Sequence, residues 1–176
     1  VGFEMYCQLL KKELDKTNKT EPSRFLDVDV VLTESAYIPE KYIENKKQRI
    51  GFYNRLSFAD TTREHKKIHK ELIDRFGPIR KQTKNLVSKL YLKTLYKKTA
   101  VNKIFISSKN IEFVFNDFFP FSSAETLISS LKSWAKKQGV SFVFGTTKND
   151  KLRFNIGCCD INDAFSLANN FFTLLN

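Results

Sequence analysis

The chain has 176 residues, 41% of them apolar and 14% aromatic, with 17 Phe beside a single Trp. So much ring surface excludes a disordered chain and is enough for a sizeable core. Lys and Arg number 30 against 19 Asp and Glu, a net charge of +11 that attracts polyanions or acidic protein surfaces without naming either.

Phe3, Tyr6, Cys7, Leu10 and Leu14 recur at helical spacing and predict an amphipathic helix over 3–14. A polar loop, KTNKTEPS, follows, and FLDVDVVL then alternates apolar and acidic residues as a half-buried strand does. In AYIPEKYI, Pro39 forces Ile38 into extended geometry. Helical period returns over 46–58 through Ile50, Tyr53 and Leu56. Thr61 and Glu64 make a capping box for the next helix. Gly77 stops that helix, and Pro78 opens another that reaches about Ala100, with Leu86, Leu90 and Leu92 to Leu95 inside it.

KIFISSKNIEFVF reads as two strands around a polar turn. A helix follows, capped by Ser122 to Glu125, turned inward at Leu127, Leu131 and Trp134, and stopped at Gly139. VSFVFGTTKNDKLRFNIG is again strand, turn and strand, and Asp160 caps a last helix running through Phe165, Ala168, Phe172 and Leu175. The fold class is α+β. A helical half, 1–100, packs with a small, mostly antiparallel sheet, and 101–176 forms two hairpin-helix units. The whole reads as a single domain, and its abrupt helical opening suggests a piece of something longer.

No catalytic set emerges. The phosphate loop, the Gly-x-Ser-x-Gly elbow and the kinase signatures are all missing from the sequence. His65 and His69 lie four apart but lack further ligands, so both belong at the edge of an apolar stripe and no metal is expected. Cys7, Cys158 and Cys159 make neither a disulfide framework nor a zinc ribbon, and they point to a reducing compartment. No apolar run reaches membrane-spanning length, and the opening residues lack a secretion pattern. The lysines and aromatics of KLYLKTLYKKTAVNKIF fit a solvated helix face better than a nucleic-acid track.

One motif stands apart. In KELIDRFGPI, residues 70–79, Ile68, Leu72 and Phe76 form the buried stripe, while Glu71 and Asp74 share a flank about sixty degrees apart. Glu71 can pair with Arg75 at i,i+4. Asp74 falls in the last turn, where the helix dipole disfavours an acid, and so hints at a cationic partner. The partner-binding candidates are Glu71, Asp74 and Arg75.

VGFEMYCQLL, AYIPEKYI, QRIGFYNRL and ELIDRFGPI, in this order and at this spacing, resemble the C-terminal domain of bacterial transcription-repair coupling factors (the Mfd or TRCF family). The resemblance covers about residues 1–92. It implies a non-catalytic regulatory domain of an ATP-dependent DNA translocase, with ATP held by upstream motor modules and no cofactor here. It further implies packing on the UvrB-like module of the same protein, where Glu71 and Asp74 would meet arginines and hide the UvrA-binding surface. The full-length relative would work with RNA polymerase, UvrA and double-stranded DNA in the cytoplasm, at the nucleoid. The alternative is a basic, DNA-binding accessory domain of the same translocase.

Overall fold

Val30, in a short strand, β1, Asp29–Leu32, and Val28 just before it are both buried in the core. The structure, a computed structural model, describes residues 28–116, 124–149 and 151–175. The helix expected over 3–14 and the cap residue Ser122 therefore lie outside the described residues.

From β1 the chain leaves the sheet for three helices: α1, Lys46–Phe58; α2, Thr62–Phe76; and α3, Lys81–Tyr96. It returns as a hairpin of β2, Val101–Ile106, and β3, Asn110–Phe115. Helix α4, Ala124–Gln138, leads to a second hairpin, β4, Phe142–Thr146, and β5, Leu152–Gly157; α5, Ile161–Leu175, follows. The strands lie in the order β1-β2-β3-β5-β4. Only the β1–β2 pair is parallel; the others are antiparallel, as the hairpins require. The fold is α+β with a mixed sheet, and both hairpin-helix units belong to it.

Two apolar cores result. Ile104, Ile106, Ile111, Phe113, Phe115, Phe154 and Ile156 face α5 and the inner side of α4. A second cluster holds the helical half together through Ile38, Ile43, Phe52, Leu56, Ile68, Leu72, Leu86 and Val87. Helix α3 serves both, because Leu92 and Tyr96 reach the sheet core while Leu86 and Val87 stay with α1 and α2. The Tyr96 hydroxyl donates to the Ala168 carbonyl of α5 at 2.6 Å, so α3 ends tied to the second half.

Local chemistry explains most element ends. Asn45 caps α1 by accepting from the Gln48 N–H at 3.1 Å. Thr61 and Glu64 form the expected capping box, Thr61 Oγ1 accepting from Glu64 N at 3.2 Å and Glu64 Oε2 accepting from Thr61 N at 3.2 Å. Gly77 ends α2 at φ 77°. The Asp160 carboxylate caps α5 by accepting from the N–H groups of Asn162 and Asp163 at 2.7 and 2.9 Å, which lowers its pKa.

Three expectations shift. Helix α3 starts at Lys81 rather than Pro78, since Ile79 turns inward against the helical core and Arg80 takes an extended cap position. It stops at Tyr96, where a tight turn, Thr99 N to Tyr96 O at 3.0 Å, redirects the chain into β2. In α1 the buried face belongs to Phe52 and Leu56, and Ile50 is exposed.

Candidate functional site

Three stretches that stand apart in the sequence meet at the C-terminal end of α2. The Tyr42 ring from AYIPEKYI packs edge-on to Phe76 at 6.0 Å, and Phe52 from QRIGFYNRL does so at 5.6 Å. The Tyr42 hydroxyl shares its proton between the carbonyls of Leu72 and Gly77, each 3.1 Å away. It thereby satisfies the Gly77 carbonyl, which the helix end leaves without an intrahelical donor, and adds a second donor to the carbonyl of Leu72. Tyr53 accepts from the Ile38 N–H at 2.7 Å, and Arg49 donates to the carbonyls of Ile43 and Glu44 at 2.7 and 2.9 Å. The loop before α1 is thus sewn to α1 and α2, and the end of α2 is held firmly.

On this support sits a charge cluster. Arg55 donates from Nη1 and Nη2 to the two carboxylate oxygens of Glu71 at 3.0 and 2.6 Å, and Arg75 Nη1 adds a third bond at 3.0 Å. The guanidinium of Arg55 lies 5.2 Å from the Phe52 ring centre. That of Arg75 lies 5.5 Å from Phe52 and 5.2 Å from Phe76. Both cations therefore rest on ring faces, whose quadrupoles favour them. The Arg55 fork, joined by Arg75, pulls the Glu71 carboxyl down from 4.5 to about 2.

Asp74 differs. It is exposed, and its carboxylate has no ion-pair or hydrogen-bond partner among the described residues. Next to it Ile73 is 40% exposed. Of the three candidates, then, Glu71 and Arg75 are drawn together into one cluster and Asp74 stands beside it as a free anion. The sequence reading missed Arg55, whose partner lies 16 residues away on another helix, where neither period nor spacing connects them.

His65 is buried at 1% exposure. Thr94 donates its hydroxyl proton to the Ala59 carbonyl at 3.2 Å and so accepts from His65 Nε2–H at 2.8 Å. His65 Nδ1 is left an acceptor with no partner among the described residues, and burial lowers the ring's pKa. Among the described residues no group of three or more His, Cys, Asp or Glu is placed to hold a metal, and no helix is long and apolar enough to cross a membrane.

The fold resembles that of a solved domain. The crystal structure of the C-terminal domain of transcription-repair coupling factor aligns with a TM-score of 0.63 at 16% identity, over 86% of this chain and 91% of that one. The TRCF domain model matches residues 32–126, more than half the chain, and the protein belongs to that family. It is 36% identical over 108 residues to transcription-repair-coupling factor of Bacillus subtilis, covering 59% of this chain and 9% of the relative. With the Staphylococcus haemolyticus protein of that name the identity is 26% over 172 residues, 91% of this chain and 15% of the relative. The chain thus spans a small fraction of the length of these relatives.

Proposed function

We propose that this chain is a non-catalytic regulatory domain that docks the end of α2 on another module of a DNA translocase acting in transcription-coupled repair. The UvrB-like module of the same protein is the partner, and docking hides its UvrA-binding surface. The observation that carries this reading is Asp74: an exposed, unpaired carboxylate in the last turn of a helix whose end is pinned by Tyr42 and Gly77. A helix terminus gains nothing from an acid there, whereas a partner arginine would.

The roles of the two acids divide. The oxygens of Glu71 already accept three bonds from Arg55 and Arg75, so Glu71 sets the shape and charge of the surface. Asp74 is the open anchor, with Ile73 as its apolar neighbour. Titration of this chain with the isolated UvrB-like module tests the division. Asp74→Ala is expected to weaken binding by ~10-fold or more, the cost of leaving a partner's charge unmatched, with the thermal midpoint unchanged. Equal affinity for wild type and variant overturns the assignment.

The DNA-binding alternative has one observation in its favour. Arg63, Lys66, Lys67 and Lys70 form an exposed stripe on α2 and have no ion-pair partner among the described residues. Anisotropy with duplex DNA at two salt concentrations separates the readings, because backbone binding must fall steeply with salt.

A further inference from the structure

The outer strands of the sheet are β1 and β4. An outer strand invites pairing with another chain, and proteins usually guard it with charge, proline or a bulge. β1 carries such a guard in Asp29, which is paired with Lys103 at 3.3 Å. β4 carries none: its residues, FVFGT, include no charge and no proline, and its pairing with β5 runs without a register shift. The Gly157 N–H donates to the Ser141 carbonyl at 3.2 Å, and the Thr147 N–H donates to the Lys151 carbonyl at 2.8 Å. Antiparallel ladders alternate, so Val143 and Gly145 also bond to β5, while Phe142, Phe144 and Thr146 turn N–H and C=O to the free side. Among the described residues nothing pairs with those groups.

The side chains along this edge are apolar. The Phe142 and Phe144 rings, half-buried against the sheet core, lie 5.8 Å apart, and Val143 on the opposite face is 69% exposed. The charge around them has one sign. From Thr126 to Gly157 the sequence holds Lys132, Lys136, Lys137, Lys148, Lys151 and Arg153 against Asp150. Arg153 is engaged by Glu112 at 3.5 Å, but the lysines have no ion-pair partner among the described residues. Lys136 and Lys137 close α4 just before the strand, and Lys148 and Lys151 belong to the connection just after it, so cations flank both ends. We propose that β4 binds an extended acidic segment of another protein, which joins the sheet as a further strand. The segment's backbone supplies alternating donors and acceptors, its apolar residues cover Phe142 and Phe144, and its acids meet the lysines. A nucleic-acid backbone offers phosphate acceptors but no donors for the edge carbonyls. A second copy would set the same cations against these, and like charges oppose pairing. The edge belongs to the sheet half, and the proposal stands apart from the docking assigned to Asp74.

The test is an NMR titration of this chain with the peptide acetyl-Glu-Glu-Val-Thr-Val-Thr-Val-Glu-Glu-amide, read by amide hydrogen exchange. Saturable binding is expected, with exchange slowed at least ~10-fold at Phe142, Phe144 and Thr146. Val143 and Gly145, already bonded to β5, should keep their rates. A peptide with Lys in place of Glu should bind at least ~10-fold more weakly, and added salt should weaken the acidic peptide. Thr146→Pro removes one outward N–H without touching the ladder to β5 and should lower the affinity ~5-fold. Lys137→Glu combined with Lys148→Glu, both exposed, should do the same without moving the thermal midpoint. The proposal is overturned by the absence of saturable binding, by equal binding of the two peptides, by protection that ignores the alternation, or by unaffected variants. A dimer in sedimentation that protects the same amides without peptide assigns the edge to a second copy. Displacement by oligothymidylate assigns it to nucleic acid, and either result also overturns the proposal.

Discussion

Arg55 grips both carboxylate oxygens of Glu71, at 3.0 and 2.6 Å, and in doing so ties α1 to α2. With Arg75 on the same carboxylate, the two basic groups would repel each other if the acid between them were neutralised. The cluster is between a third and a half exposed, with side-chain exposures of 32% for Glu71, 48% for Arg55 and 45% for Arg75. Solvent therefore screens much of its energy.

Replacing Glu71 by Gln is expected to cost about 1 kcal/mol at neutral pH, at the upper end for an exposed pair because the geometry is forked and networked. The folded pKa of about 2 lies below the ordinary 4.5. The contribution is then fully present above pH 4.5 and is lost as pH falls toward 2. Urea midpoints of wild type and Glu71→Gln should differ by a constant amount from pH 7 to 5 and converge on further acidification. A gap that persists unchanged at pH 3 would show that charge is not its origin.

The end of α2 depends on Gly77 and Tyr42 together. At φ 77° a side chain is strained even though nothing lies within 4 Å of where its Cβ would stand. Gly77→Ala should therefore cost about 1 kcal/mol through the backbone alone. Tyr42→Phe keeps the edge contact with Phe76 but strips the donor shared by Leu72 and Gly77, a loss of about 0.5–1.5 kcal/mol. Because both act on the same helix end, their effects in denaturant titrations should be non-additive. Simple additivity would mean that the hydroxyl and the glycine stabilise separate structures.

How far the sequence foretold this arrangement depended on distance along the chain. Helix α2 was largely legible, because cap, stripe and stop are each read from residues no more than four positions apart. The pairing of β1 with β2 was not, because Asp29 and Lys103 are brought together across three intervening helices. In α5 the sequence reading followed Phe165, Ala168, Phe172 and Leu175; of these only Ala168 is buried, and the buried face is Ile161, Ala164, Leu167, Ala168 and Phe171. Adjacent phenylalanines at 171 and 172 leave the phase of the helix undecided by about 100°, and the sheet decides it. The same ambiguity placed Ile50 rather than Phe52 on the inner face of α1. The Arg55–Glu71 fork is likewise a tertiary fact with no local trace.

His65 should give the fold an acid sensitivity distinct from that of Glu71. Burial depresses its pKa below 6.5, with the nearby Ala59 carbonyl and then Glu64 acting in the opposite direction. The unfolded chain then binds the proton more readily, so stability holds above about pH 6.5 and declines below it. In NMR the His65 ring should titrate below the ordinary histidine value. Between pH 7.5 and 5.5 the urea midpoint of wild type should fall, and His65→Gln should lose that part of the fall. Identical pH slopes in the two proteins would place the sensitivity elsewhere.

Phe171 is the most consequential single side chain in the sheet half. Its ring centre lies 4.4 Å from Phe113, 5.3 Å from Phe154 and 5.4 Å from Trp134, and it is fully buried. It therefore joins α5 to β3, β5 and α4 at one point. Truncation to Ala removes the ring from all three and leaves a cavity that the sheet, fixed by its ladders, cannot collapse to fill. A cost of about 3–5 kcal/mol is expected, a large part of the stability of a domain this size. Phe172→Ala, one residue on and half-buried, packs against Tyr96 at 5.5 Å and should cost clearly less. Guanidinium unfolding of the two variants checks the ranking. Were Phe172 the costlier loss, α5 would have to be rotated about its axis relative to the sheet, and the core described above would be wrong.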